Sequence, residues 1–214
     1  YNEIHEAIER SFIADSCACI PGRGTLYGAT RLEAKVRSIT QNWRRPAWYL
    51  KLDIANFFVS IDKRILQAEL ERRIRTPWAH ELALLILWND PREGAVYKSP
   101  RALCDRVPLH KQLSEAPAHK GLPIGNLSSQ FYANILLDVL DQFVKHRLQV
   151  RHYIRYVDDM VLLADNPQDL NAWRSAIEAF LPERLALEIN PAKTILQRVD
   201  HGVDFVGQVI APHR

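Results

Sequence analysis

Three carboxylates in two places are the residues best suited to chemistry. Tyr156-Val157-Asp158-Asp159 sets two adjacent aspartates inside an otherwise apolar hairpin pattern, between Ile154 and Met160-Val161-Leu162-Leu163. Aspartate is among the poorest strand residues, and a two-residue hairpin turn favours Asn-Gly or Asp-Gly. Like charges side by side cost energy unless something positive stands between them, and a divalent cation is the simplest candidate. Asp53 repeats the theme at the end of its own apolar stretch, Leu50-Lys51-Leu52-Asp53-Ile54. If the two strands lie side by side, Asp53 and Asp158 converge at one edge of a sheet. Magnesium takes one or two protein carboxylates per ion and fills its other positions with waters and substrate phosphates. Two such ions about 3.5–4 Å apart hold both the attacking and the leaving oxygens of a phosphoryl transfer. The competing reading is a solvated Asp-Asp turn and an unrelated strand-end aspartate.

Mixed elements must position these groups. Apolar periodicity predicts helices over residues 2–13, 29–42, 63–74, 79–88, 126–148 and 168–181. Strands are expected over 47–53, 152–157, 160–164, 185–189, 194–199 and 203–210, with the aspartate pair joining the second and third. A turn-rich stretch, Pro21-Gly22-Arg23-Gly24-Thr25, precedes the second helix. Residues 90–120 hold Pro91, Pro100, Pro108 and Pro117 with little periodicity, so they form a long irregular insertion. The order implies an α+β fold, one sheet covered by helices on one side.

The chain has 214 residues, 47% hydrophobic and 25% charged, which excludes disorder, collagen-like structure and a disulfide scaffold. The three cysteines, Cys17, Cys19 and Cys104, form no paired zinc knuckle and are read as reduced thiols of a cytoplasmic protein. His110 and His119, like Cys104, lie in the insertion without metal spacing and receive no role. No run approaches the 18 or so apolar residues that span a bilayer, and no signal peptide opens the chain. The first residue is Tyr1 rather than Met, as expected of a piece of a longer protein. Formal net charge is only +3, but it is unevenly placed. From Ser16 to Lys51 the cations are Arg23, Arg31, Lys35, Arg37, Arg44, Arg45 and Lys51, against the single acid Glu33. That imbalance points to a phosphate-rich partner or, alternatively, to a solvated helix face.

At this point the chain resembles the reverse transcriptases. Trp48-Tyr-Leu-Lys-Leu-Asp53-Ile-Ala-Asn-Phe-Phe58 is similar to their motif A, and Gly121-Leu-Pro-Ile-Gly125-Asn-Leu-Ser-Ser129-Gln130 to motif B. Tyr156-Val-Asp-Asp159 resembles motif C, Asn190-Pro-Ala-Lys193-Thr motif D, and Val203-Asp-Phe-Val-Gly207 the primer-grip hairpin, motif E. The turn at Pro21–Thr25 and the helix after it resemble the fingers motif. The motifs stand in family order over residues 16–210. The bacterial branch is nearest, alongside group II intron, diversity-generating and defence-associated enzymes. Ile124 and Gln130 match the diversity-generating pattern better than the intron one, which has Gln and Pro there.

The resemblance implies a right-hand polymerase: fingers in residues 1–46 and palm in 47–214, ending at the primer grip, with no sequence for a thumb. It implies an RNA-directed DNA polymerase that adds deoxynucleotides to a primer 3′-hydroxyl. Its partners would be an RNA template, a DNA or RNA primer, deoxynucleoside triphosphates and an accessory protein of the host element. Two Mg2+ ions, replaceable by Mn2+, would be held by Asp53, Asp158 and the Ile54 carbonyl, with Asp159 acting electrostatically beside them. Lys193 would donate a proton to the departing pyrophosphate or pair with it. Phe58 would gate the sugar, with Phe57 as its rival. Ile124, Gly125 and Gln130 would line the nucleotide pocket, and Arg23, Arg31 and Lys35 would contact triphosphate or template. The alternative is a catalytically idle palm that binds nucleic acid or protein.

Overall fold

Strand β1 (Trp48–Asp53) is the axis on which the molecule is built. The computed structural model describes residues 4–96, 98–100, 103 and 106–212, so Cys104 lies outside the described residues. Strand β2 (His152–Tyr156) turns into β3 (Asp159–Ala164), and β3 pairs antiparallel with β1. On its other side β1 pairs antiparallel with β4 (Ile195–Arg198), giving the order β2-β3-β1-β4. A separate hairpin, β5 (Val203–Phe205) with β6 (Gln208–Ile210), follows. In this register Asp53 lies directly opposite Asp159.

Side chains alternate along a strand, so β1 addresses two cores. Leu50 and Leu52, with Met160 and Leu162 of β3, enter the larger one. There they pack with Ile135, Leu136 and Leu140 of the long helix, and with Leu170, Ile177 and Leu181 of the next. Tyr49, with Val161, Leu163 and Ile154, enters the smaller core among Leu32, Val36, Val203 and Phe205. Each fully buried aliphatic side chain contributes about 1.5–3 kcal/mol. The sequence led us to expect helices on one side of the sheet. In the structure the second face is covered as well, by the helix Thr25–Ile39 and the β5–β6 hairpin, because β1 and β3 carry apolar residues on both faces.

Helix α1 is His5–Glu9 and α2 is Thr25–Ile39. α2 begins four residues before the apolar periodicity does, directly after Gly24. Gly28 lets it sit close to the core: a Cβ there would lie 3.3 Å from Phe205 Cε1. The short α3 (Phe57–Ser60) leads into α4 (Lys63–Arg73), whose N-cap Asp62 accepts from the Arg64 amide at 2.9 Å. α5 (Pro77–Trp88) starts at a proline, where the missing N–H costs nothing. Within the described part of the insertion, Leu109–Lys111 and Leu113–Glu115 form single 3-10 turns. α6 (Leu127–Gln142) is buried on nearly all sides and runs into a π-helical turn, Phe143–Arg147.

α7 (Pro167–Leu185) is capped by Asn166, which accepts from the Asp169 amide at 2.9 Å. It extends through Pro182 and ends at Ala186, which has φ 53. The strand expected over 185–189 is therefore absent: Leu185 is helical, and only Ile189 bridges to Ile54.

Candidate active site

The end of β1 is held from two sides. The Asp53 carbonyl accepts from the Asn190 amide at 2.7 Å, and the Ala55 amide donates to the Glu188 carbonyl at 2.8 Å. Asn190 then caps the 3-10 turn Pro191–Lys193, which brings Lys193 over the strand end. Lys193 Nζ donates to Asp53 Oδ2 at 2.8 Å, and Asn190 Nδ2 to Asp53 Oδ1 at 3.4 Å. Asp53 is buried although it faces a cleft of about 260 Å³. Ile54, Asn56, Phe58, Lys111, Ile124, Asp158 and Lys193 are among the residues lining that cleft.

The acids are short of compensating charge. Burial, and then the neighbouring Asp53 and Asp159 carboxylates, push the Asp158 carboxyl above its ordinary pKa. Burial also raises Asp159, against the opposing pull of Lys51. Lys51 Nζ stands 3.6 Å from Asp159 Oδ2 and donates to the Asp204 carbonyl at 3.1 Å, so it ties the site to β5. The bond to Asp53 raises the Lys193 pKa and keeps the ammonium charged.

Half-buried acids that resist ionisation, as Asp158 and Asp159 do, suit a multivalent cation, and carboxylate and carbonyl oxygens are hard donors matched to Mg2+ or Mn2+. Among the described residues no three His, Cys, Asp or Glu side chains already stand in ligand geometry, and Lys193 occupies one Asp53 oxygen. The donor chemistry fits a divalent ion, provided Lys193 yields that oxygen.

Seven of the residues singled out in the sequence meet at the cleft: Asp53, Ile54, Phe57, Phe58, Ile124, Asp158 and Lys193. Asp159 joins them through its register with Asp53. Phe57 and Phe58 sit on α3 rather than in an extended strand, with ring centroids 5.2 Å apart, edge to face. Phe57 is buried in the larger core, while Phe58 is half-buried. Ile124 is 78% exposed at the rim. Gly125, at φ 100, follows it in a conformation that favours glycine, and Gln130 lies in the first turn of α6; neither lines the cleft.

Arg23, Arg31 and Lys35 lie apart from the cleft and have partners of their own. Arg23 Nη1 donates to the Ile13 and Ser16 carbonyls at 2.8 and 2.9 Å. Arg31 and Lys35 both clamp the buried Asp15, at 2.5 and 2.9 Å. Asp15 escaped the sequence reading because its partners are 16 and 20 residues away. Lys51 was visible in principle, since two positions before Asp53 on a strand means the same face. Asn190 was quoted only as part of the Asn190–Thr194 motif, without a role, and Lys111 gave no local signal.

A second cavity is larger, about 500 Å³, and lies between α5 and α6 among Trp78, Leu82, Ile86, Leu127 and Phe131. It contains no carboxylate, lysine or histidine and offers nothing for phosphoryl transfer.

Fold and site together have the form of a polymerase palm, an antiparallel sheet with acids at the end of its central strands. The reverse transcriptase (RNA-dependent DNA polymerase) family profile matches residues 2–210, and the chain belongs to that family. Protein YkfC of Escherichia coli K12 is 24% identical over 195 residues, covering 76% of this chain and 46% of that protein. Telomerase from Candida albicans, in complex with a fragment of telomeric RNA, superposes with a TM-score of 0.63 at 14% identity, over 98% of this chain and 37% of that one. Apo telomerase from Candida tropicalis, truncated from its C-terminal domain, gives 0.60 at 13% identity, over 99% and 42%. These structures share the right-hand fingers–palm fold. The chain spans less than half the length of each. Among the described residues no helix is long and apolar enough to cross a membrane.

Proposed function

We propose that this chain is the fingers and palm of an RNA-directed DNA polymerase, residues 1–46 and 47–214 respectively. It extends a DNA or RNA primer on an RNA template with deoxynucleoside triphosphates. The observation that carries this reading is Asp53 facing Asp159 across β1 and β3, with Asp158 beside them at the cleft. Asp53, Asp158, Asp159 and the Ile54 carbonyl would hold two divalent cations, Mg2+ or Mn2+. When bound, such ions lower the pKa of the primer hydroxyl and neutralise the triphosphate.

The remaining work belongs to the protein. Lys193, charged and 62% exposed, leaves Asp53 to pair with the β- and γ-phosphates and to protonate the departing pyrophosphate. The Phe58 ring at the cleft wall excludes a 2′-hydroxyl. Ile124 at the rim packs against the incoming pair without hydrogen bonds. The competing reading, an idle scaffold, draws on the Lys193–Asp53 ion pair, which would then be permanent. Primer extension by the full-length protein on RNA and on DNA templates separates the two. Extension that depends on RNA template and disappears in Asp158→Asn supports a polymerase; binding without extension supports the scaffold.

A further inference from the structure

Beneath the β2–β3 turn lies a guanidinium that never meets the cleft. Arg155 is 1% exposed. Its Nε donates to Asp141 Oδ1 at 2.8 Å and its Nη2 to Asp141 Oδ2 at 2.7 Å, a bidentate pair with α6. Nη2 also donates to Ser16 Oγ at 3.0 Å, and Nη1 to Asn134 Oδ1 at 3.3 Å. The last contact is from Nη1 to the Val157 carbonyl at 2.9 Å. A guanidinium has five N–H donors, and these contacts supply one acceptor for each. The acceptors are fixed in turn: Asp141 Oδ1 takes the Tyr153 hydroxyl at 2.7 Å, and Asn134 Nδ2 donates to the Ala18 carbonyl at 2.8 Å.

One acceptor of the five belongs to the turn itself. Val157 has φ 54, a left-handed conformation that a β-branched residue keeps only under constraint. Its carbonyl shares a peptide plane with the Asp158 amide, so holding one orients the other. Well-packed apolar residues are often at least as stabilising as a buried ion pair, so stability alone is a poor account of this cluster. A lysine would bring three donors and no fork.

We infer that Arg155, clamped by Asp141, is a positioning residue: it holds the Val157–Asp158 peptide so that the paired aspartates face Asp53. The inference rests on the polymerase reading and deepens it. The test compares the full-length protein with Arg155→Met/Asp141→Leu, which removes both charges together. Melting temperature, hydrogen exchange of residues 153–162, and kcat and KM for a deoxynucleotide are measured on each. The expected result is melting within a few degrees of the parent, faster exchange confined to the hairpin, and kcat at least tenfold lower at unchanged KM. Adding Val157→Gly, which accepts φ 54 without a Cβ, should slow that exchange again and recover part of kcat. Should the double variant fail to fold, Arg155→Lys, which keeps the charge and loses the fork, is read the same way. A folded variant with parental exchange and kcat overturns the inference. If the parent itself does not extend primers, the polymerase reading fails, and the exchange data alone decide whether Arg155 holds the turn.

Discussion

Burial, reinforced by two adjacent carboxylates, raises the Asp158 pKa, so the folded protein binds a proton there more tightly than the unfolded chain does. The sign of the linkage follows: this group favours folding most at low pH and loses that contribution as pH rises from the ordinary carboxylate range through the raised folded value. Asp158→Asn is nearly isosteric and stays neutral throughout. Its melting temperature should equal or exceed that of the parent at pH 7 in chelator, with the gap closing toward about pH 4. Primer extension should fall below detection. Calorimetry across that range and an extension assay check both halves, and a variant less stable at pH 7 would contradict the charge argument. The phenylalanine pair divides labour in the same way. Phe57→Ala should cost about 3–5 kcal/mol as a lost core ring. Phe58→Ala should cost less and raise ribonucleotide incorporation relative to deoxynucleotide, read by competition between the two triphosphates. If discrimination moves only in Phe57→Ala, the gate is the other ring.

Helix ends place the site as much as strands do. Asp62 caps α4 and pairs with Arg64 at 2.6 Å, and the Lys63 amide behind it donates to the His119 carbonyl at 2.8 Å, pinning the end of the insertion. The hydrogen bond from Arg64 holds the Asp62 pKa below its ordinary value. That contribution is present above the unfolded carboxylate pKa and fades as pH falls through the folded one. Asp62→Ala should therefore cost about 0.5–2 kcal/mol at pH 7, and less in acid, by urea denaturation at both. This element was legible in the sequence because its signal, an apolar period, is local. So were β1, β2 and β3, whose apolar runs bracket the three aspartates, although Asp159 opens β3 instead of joining the two strands. The segment after α7 was misread because Leu185–Ile189 is as apolar as a strand, while the feature that ends the helix, Ala186 at φ 53, is an unremarkable residue type for that conformation. The Arg155 cluster was invisible for a different reason: its acceptors lie up to 139 residues away, and no local pattern encodes such pairing.

Across the whole molecule the basic stretch divides into cations that build the protein and cations free to meet a ligand. Arg31 and Lys35 hold Asp15, Arg37 holds Glu33, Arg23 holds backbone carbonyls, and Lys51 faces Asp159. Arg44 and Arg45 are exposed and form no ion pair among the described residues, in the concave surface they share with Trp43 and Arg198. Only cations that neutralise phosphates release counterions, so only they contribute to the salt dependence of nucleic-acid binding. Binding of an RNA–DNA hybrid, followed by anisotropy from 50 to about 200 mM salt, should then show a slope that falls by about 1 for each of Arg44→Ala and Arg45→Ala. Both variants should melt like the parent, as exposed substitutions usually shift stability by no more than about 0.5 kcal/mol. Arg31→Ala should behave in the opposite manner, lowering the melting temperature by loosening the Asp15 clamp and leaving the slope unchanged. If Arg31→Ala flattens the slope in a protein of parental stability, Arg31 is a ligand contact after all, and the Asp15 clamp opens when nucleic acid binds.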